Sequence, residues 1–358
     1  MSKNFSTKFS SWIFDSFQIS ARGLALYRIL YALFVLCFML PPPELYTFLG
    51  NLPGDFFAPP PGPMMFFGGF PPEAILLIFH YLLVAALLFL VAGLFTKWSS
   101  LGVGILLILL KGFIYSLGKI DHDIIIIVVP FVMAFSGWGM KYSLDSQRID
   151  EDKIEQTSWP LTLLALFIGF MMFTAGFPKI IGGWLDINTH ATQGYFFKQY
   201  IVQGRQDLLA IYGFNVADLF WELADYGTVL FEIGFLIAVV NPRSTRVFIC
   251  LAVLFHLSTM LMLNIAFLPN FIAYAAFLNW DWINKKLKNS AQLSGYAVDK
   301  SVPVIMFLLA GSAFILLNYL DGYSTMQSDL ELSSVLIIGF STVLALYYLS
   351  KETKKLLG

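Results

Sequence analysis

A chain of 358 residues that is 58% hydrophobic, 13% charged and of net charge −1 departs from an ordinary soluble domain, in which about a quarter of residues are charged. Its mean hydropathy of +0.74 points to a bilayer as a partner, and the lack of a basic field excludes a nucleic-acid partner. The two cysteines, Cys37 and Cys250, fall in different apolar runs at opposite predicted depths, so no disulfide is expected.

The apolar residues gather into runs of roughly 18 to 23, the length a helix needs to cross about 30 Å of hydrocarbon. Residues 1–22 precede the first run. There Phe5, Phe9, Trp12, Ile13, Phe14 and Phe17 recur at helical spacing opposite Lys8 and Asp15, which predicts an interfacial amphipathic helix. The first run ends in Pro41-Pro42-Pro43 rather than at a small-residue cleavage site, so it is expected to stay as a span. Spans are predicted at 23–40, 74–95, 99–118, 124–140, 160–181, 217–241, 245–263, 266–282, 302–320 and 332–350. The fold class is therefore an all-α polytopic transmembrane bundle of about ten spans. It divides into a core at 23–282, a basic cytoplasmic loop at 283–301, and two more spans with a short basic tail at 302–358.

Loop charge orients this bundle. With a cytoplasmic N-terminus, sixteen Lys and Arg lie inside, among them Lys285, Lys286, Lys288 and Lys300, and only Lys119, Lys198 and Arg205 lie outside. Both termini are then cytoplasmic, and 141–158 and 283–300 are cytoplasmic loops. Residues 41–73 are external, rich in Pro, Gly, Phe and Met, and without Lys or Arg. Their proline runs prevent a continuous helix, and they are expected to fold over the outer mouth. A second external segment, 182–216, carries Trp184, Tyr195, Phe196 and Phe197 and is expected to lie along the interface.

Ionisable groups at membrane depth cost about 2.5 kcal/mol or more, so each asks for a reason. Arg28, His80, Lys111, His122, Lys179, Glu222, Asp225, Glu232 and His256 stand out. His80, His122, Lys179 and His256 map to the outer half and His190 to an outer loop, which suits one polar site opening outward. Lys179 ends its span beside Pro178, which frees the Thr174 carbonyl. Held among Phe, Ile and Met, the lysine can offer a neutral amine as a base; on the bland alternative it snorkels to the headgroups beside Trp184. His122, between Asp121 and Asp123, is either a proton relay or a solvated loop residue. His256 is either a pocket residue or bonded to a neighbouring helix. Glu232, near mid-membrane, needs a cationic partner, for which Arg28 and Lys111 are candidates. Glu222 and Asp225 are expected near the outer end, where water is at hand. No histidine or cysteine spacing suits a metal, and no phosphate loop or hydrolase triad is present.

The order of these pieces resembles the membrane region of vitamin K-dependent γ-carboxylase, the HTTM domain, over roughly residues 20–282. The resemblance rests on Ala25-Leu26-Tyr27-Arg28-Ile29-Leu30, Gly93-Leu94-Phe95-Thr96-Lys97, Asp121-His122-Asp123, Ala175-Gly176-Phe177-Pro178-Lys179 followed by Trp184, Phe231-Glu232 and Phe255-His256. In that family a lysine after an Ala-Gly pair deprotonates vitamin K hydroquinone, whose oxygenation drives carboxylation of peptide glutamates. The resemblance thus implies Lys179 as base, His122 as its helper, a quinol of the vitamin K or menaquinone type as cofactor, and a pocket including His256, His80, Glu232 and Trp184. It implies chemistry on a secreted peptide or lipid at the outer face of a bacterial inner membrane. The chain departs from the family at Pro178, where the family has a second lysine, and lacks the propeptide-recognising soluble domain. Other proteins with this domain resemble bacterial factors that support maturation of secreted peptides, which implies the alternative of a non-catalytic membrane protein.

Overall fold

The computed structural model describes residues 2–118, 123–148, 158–291, 307–309, 312 and 332–357. His122, most of the 283–301 loop and most of the span expected at 302–320 lie outside these residues. The described part is helical, without strands, and forms two compact units. Among the described residues, six helical stretches are long and apolar enough to cross a membrane: Ala21–Met39, Glu73–Ala92, Thr96–Tyr115, Trp159–Ile181, Pro242–Leu263 and Ser333–Lys355. This is compatible with an integral membrane protein.

One unit comprises 13–161 and 275–325. Helix α1, Ser2–Asp15, ends within it, and α2 (Ala21–Phe34) follows, started by Ser20, whose hydroxyl accepts from the Gly23 amide. After a π turn at Val35–Met39, α3 (Pro43–Gly50) begins on a proline, at a first-turn position where no intrahelical amide donor is needed. The segment 41–73 thus holds a short helix before its later prolines break it. Helices α4 (Glu73–Ala92) and α5 (Thr96–Tyr115) form a hairpin with a left-handed turn at Gly93, φ +67°. A Cβ there would meet Ser143 Cβ at 2.2 Å, so only glycine fits. Asp145 closes the same corner by accepting from the Phe95 and Thr96 amides at 2.9 and 2.6 Å. The Phe- and Met-rich stretch caps the other end of the hairpin: Met64 is buried against Gly112, and the Phe57 and Phe67 rings lie 6.4 and 5.0 Å from Phe113.

Helix α6 (Ile124–Met133) stops well short of the span expected to reach residue 140. Arg28, fully buried in α2, explains why the chain can unwind there. Its guanidinium donates to the carbonyls of Trp138 at 2.8 Å and Lys141 at 3.4 Å, and to Tyr142, supplying the donors a helix would have given.

The other unit comprises 1–12, 162–274 and 326–358. It holds α7 (Trp159–Ile181, from Thr162 on), α8 (Ala191–Phe197), α9 (Asp218–Ala238), α10 (Pro242–Leu263), α11 (Leu268–Tyr274), and a terminal helix. Before that last helix, α12 (Trp280–Ala291) belongs to the first unit, and α13 is Leu332–Leu357. Helix α9 has 21 residues, but Asp218, Glu222, Asp225 and Glu232 set it apart from the six apolar stretches. The span expected at 266–282 is instead α11, a 3-10 turn at Ala275–Phe277 and the start of α12. Small residues let α7 and α9 approach: a Cβ on Gly169 would sit 2.8 Å from Val239, and one on Gly176 would sit 2.8 Å from Glu232 Cβ.

Candidate functional site

The approach at Gly176 brings two charged side chains together one turn further along α7. Lys179 Nζ donates to both Glu232 oxygens at 2.5 Å, with the carboxylate side chain 5% exposed and the lysine 21%. Glu232 therefore pairs with Lys179, and not with Arg28 or Lys111 as the sequence suggested. Arg28 is engaged by backbone carbonyls. Lys111 pairs with Asp123 at 2.6 Å, and the Tyr115 hydroxyl also donates to that carboxylate. Two charges from separate helices find each other because an unpaired ion in an apolar interior costs several kcal/mol.

The end of α7 completes the site. The Gly183 amide bonds back to the Ile180 carbonyl at 3.3 Å and the Trp184 amide to the Lys179 carbonyl at 3.1 Å, with Gly183 at φ +82°. This is the Schellman ending, in which glycine takes the left-handed position. It folds Trp184 back so that the lysine ammonium lies 5.1 Å from its ring centre, where the negative face of the indole attracts it.

Beyond Lys179 the chain runs alongside the first half of α9, tied to it by polar contacts. Tyr226 donates to the Leu185 carbonyl at 3.0 Å. Asp225, 1% exposed, accepts from the Ala191 and Thr192 amides, each at 2.7 Å, and from the Thr192 hydroxyl. His190 Nε2 lies 4.0 Å from Glu222. Both carboxylates are buried, contrary to the expectation of a watery outer end. Their spacing held the signal: Glu222, Asp225, Val229 and Glu232 recur at three, four and three residues, one face of a helix. Phe196, also expected at an interface, is fully buried in a stack with Trp221 at 5.4 Å.

The remaining candidates are placed separately. His256 is buried on α10, with Nε2 3.0 Å from the Tyr274 hydroxyl and 3.3 Å from the Asn270 amide, and its ring 4.9 Å from Phe267. His80 belongs to the other unit. It is 2% exposed and packs 5.2 Å from the Tyr46 ring, and neither ring nitrogen has a hydrogen-bond partner among the described residues. Burial pushes the Tyr46 phenol further above its ordinary range, so it is a neutral hydroxyl. Among the described residues no imidazole bonds the Lys179 amine, and no group of three His, Cys, Asp or Glu could hold a metal ion.

Fold and site define a class: a multi-pass, membrane-type helical protein with a lysine–carboxylate pair set between two of its helices. No family model, no curated protein and no solved structure matches the chain.

Proposed function

We propose that this is an integral protein of a bacterial inner membrane, similar to the HTTM core of the γ-carboxylase, that handles a proton at the Lys179–Glu232 pair for quinol-coupled chemistry on a peptide or lipid at its outer face. In this reading about ten spans cross the bilayer, α1 lies at its surface and both termini are cytoplasmic. The observation that carries it is the two-pronged 2.5 Å contact of a lysine amine with a buried carboxylate.

A quinol would supply a weakly acidic hydroxyl and two electrons. Trp184 over the amine and the exposed Phe177 and Ile180 on α7 give apolar surface suited to a flat ring. Lys179 as ammonium is no base. Moving one proton from Nζ to a Glu232 oxygen leaves amine and acid with no net charge, which a low-dielectric site tolerates. Lys179 Nζ can then accept a proton from a bound hydroxyl, while Glu232 keeps the first until water takes it.

The same contact favours a second reading: a non-catalytic membrane protein that handles a secreted peptide, in which Glu232 keeps Lys179 charged. Quinol oxidation with dioxygen as the electron acceptor, by purified protein in lipid nanodiscs with vitamin K hydroquinone or menaquinol, tests the choice. Loss of a proton-transfer group costs about 10²–10⁴-fold, so K179A is expected to lose at least about 100-fold. Unchanged turnover in K179A ends the base role, and absence of turnover in the wild type selects the second reading.

A further inference from the structure

Between residues 52 and 72 the chain carries five phenylalanines, two methionines, seven prolines and a single charge, Asp55. The fold does not hide these apolar side chains. Phe66 is 92% exposed, and Phe56 and Met65 are each more than half exposed. Apolar surface concentrated in one short segment marks a place where something docks.

Helix α5 sets the depth of this segment. Met64 is buried against Gly112, the Phe57 and Phe67 rings meet Phe113, and the Ala58 amide donates to the Ser116 carbonyl at 2.9 Å. At 1.5 Å per residue these contacts all fall within about 5 Å of the end of α5. The segment therefore flanks the last turn of an apolar helix and does not stand above it. Backbone chemistry then selects the occupant. The prolines have no amide to offer. The amides of Phe56, Phe57, Met65 and Phe67 are used locally, on the carbonyls of Pro53, Gly54, Gly62 and Met64. An extended peptide docks by pairing with free backbone groups, and few donors are left for one. Residues 41–73 also hold no Lys or Arg to attract an acidic partner. Acyl chains need no hydrogen bonds, and they tolerate non-helical backbone whose donors are already satisfied.

We propose that residues 56–67 form a wedge set into the outer leaflet, with Phe56, Met65 and Phe66 among phospholipid acyl chains beneath the headgroups. This rests on the reading above that α5 crosses a bilayer with its end outward, and it names the partner of a segment which that reading leaves unassigned. Met64, Phe57 and Phe67 grip α5 from the other side, so the wedge ties the outer end of that helix to the lipid.

The test is a nitrobenzoxadiazole label on F66C in the full chain, with C37A and C250A removing the native thiols, in phosphatidylcholine nanodiscs at one chain per disc. The label is expected to lose at least about half its emission to a lipid nitroxide near the headgroups, and less to one at the midplane about 15 Å deeper. Aqueous iodide should quench it least. Dominant quenching by iodide overturns the proposal, because water then covers the face. Weak quenching by lipid and iodide alike overturns it in favour of protein cover. Lipid quenching that is lost at two chains per disc overturns it in favour of a second copy. A label on M65C repeats the measurement if F66C does not fold. A label on I105C, half-way along α5 and half-exposed, keeps the two readings apart. Lipid quenching there beside none at 66 removes the wedge and leaves the span, whereas none at either position removes both.

Discussion

The two units each hold a lysine–carboxylate pair within the helical core, and the pairs are built differently. In one, Asp123 meets Lys111 at 2.6 Å, accepts from Tyr115, and stands at the N-terminus of α6, where the helix dipole favours an anion. In the other, both oxygens of Glu232 serve one ammonium, and among the described residues that ammonium is further touched only by an indole face. Asp123 therefore has three stabilising neighbours, whereas Glu232 has one cationic partner among the described residues. The Lys111–Asp123 pair thus has more local support than Lys179–Glu232, the pair to which the proposed proton handling belongs.

Substitutions can break that contrast. The largest effect is expected for D123A, which strands a lysine and a phenol and weakens the start of α6; it should destabilise by about 4 kcal/mol, read by thermal unfolding in detergent. E232A strands only Lys179, so about 3 kcal/mol is expected. If E232A proves the costlier of the two, the order of local support is reversed. Replacing both partners sharpens the point. K179M/E232M should return to within about 1 kcal/mol of the wild-type stability while losing turnover, whereas K111M/D123M stays destabilised because Tyr115 remains.

G176A probes the spacing rather than the charges. A Cβ 2.8 Å from Glu232 Cβ must push α9 away, at a cost of about 1–3 kcal/mol, with quinol oxidation falling more than stability explains. The smallest change is W184F, which exchanges the best cation-binding ring for a poorer one. It should cost less than about 1 kcal/mol and leave the Lys179–Glu232 contact in place, as judged by retained sensitivity to K179A.

The long apolar runs were legible because nothing but a helix satisfies twenty consecutive backbone amides in hydrocarbon. The short ones were not. Residues 134–140 read as a continuation of the run at 124, yet the chain unwinds there because Arg28, more than a hundred residues earlier, donates to the carbonyls of Trp138 and Tyr142. At the candidate site, Lys179 and Glu232 were each conspicuous alone, while the partners considered for Glu232 were Arg28 and Lys111 rather than Lys179. Charge identifies a residue that needs a partner, but only the packing at Gly169 and Gly176 selects which helix supplies it. Glu222 and Asp225 were placed in water because they lie early in their span. The segment 185–192 covers them, and its path depends on where Gly183 turns the chain.

By itself the sequence determined that the chain is helical and rich in runs apolar enough for a bilayer, although it predicted about ten where the described residues hold six, and it marked the few ionisable side chains at odds with their surroundings. Hydrophobic length and periodicity are local properties and need no knowledge of neighbours. The tertiary structure decided who neutralises whom: Arg28 with unwound carbonyls, Lys111 with Asp123, and Lys179 with Glu232. Ion pairing and hydrogen bonding act over a few ångströms between residues far apart in the chain, so they exist only once the helices have packed.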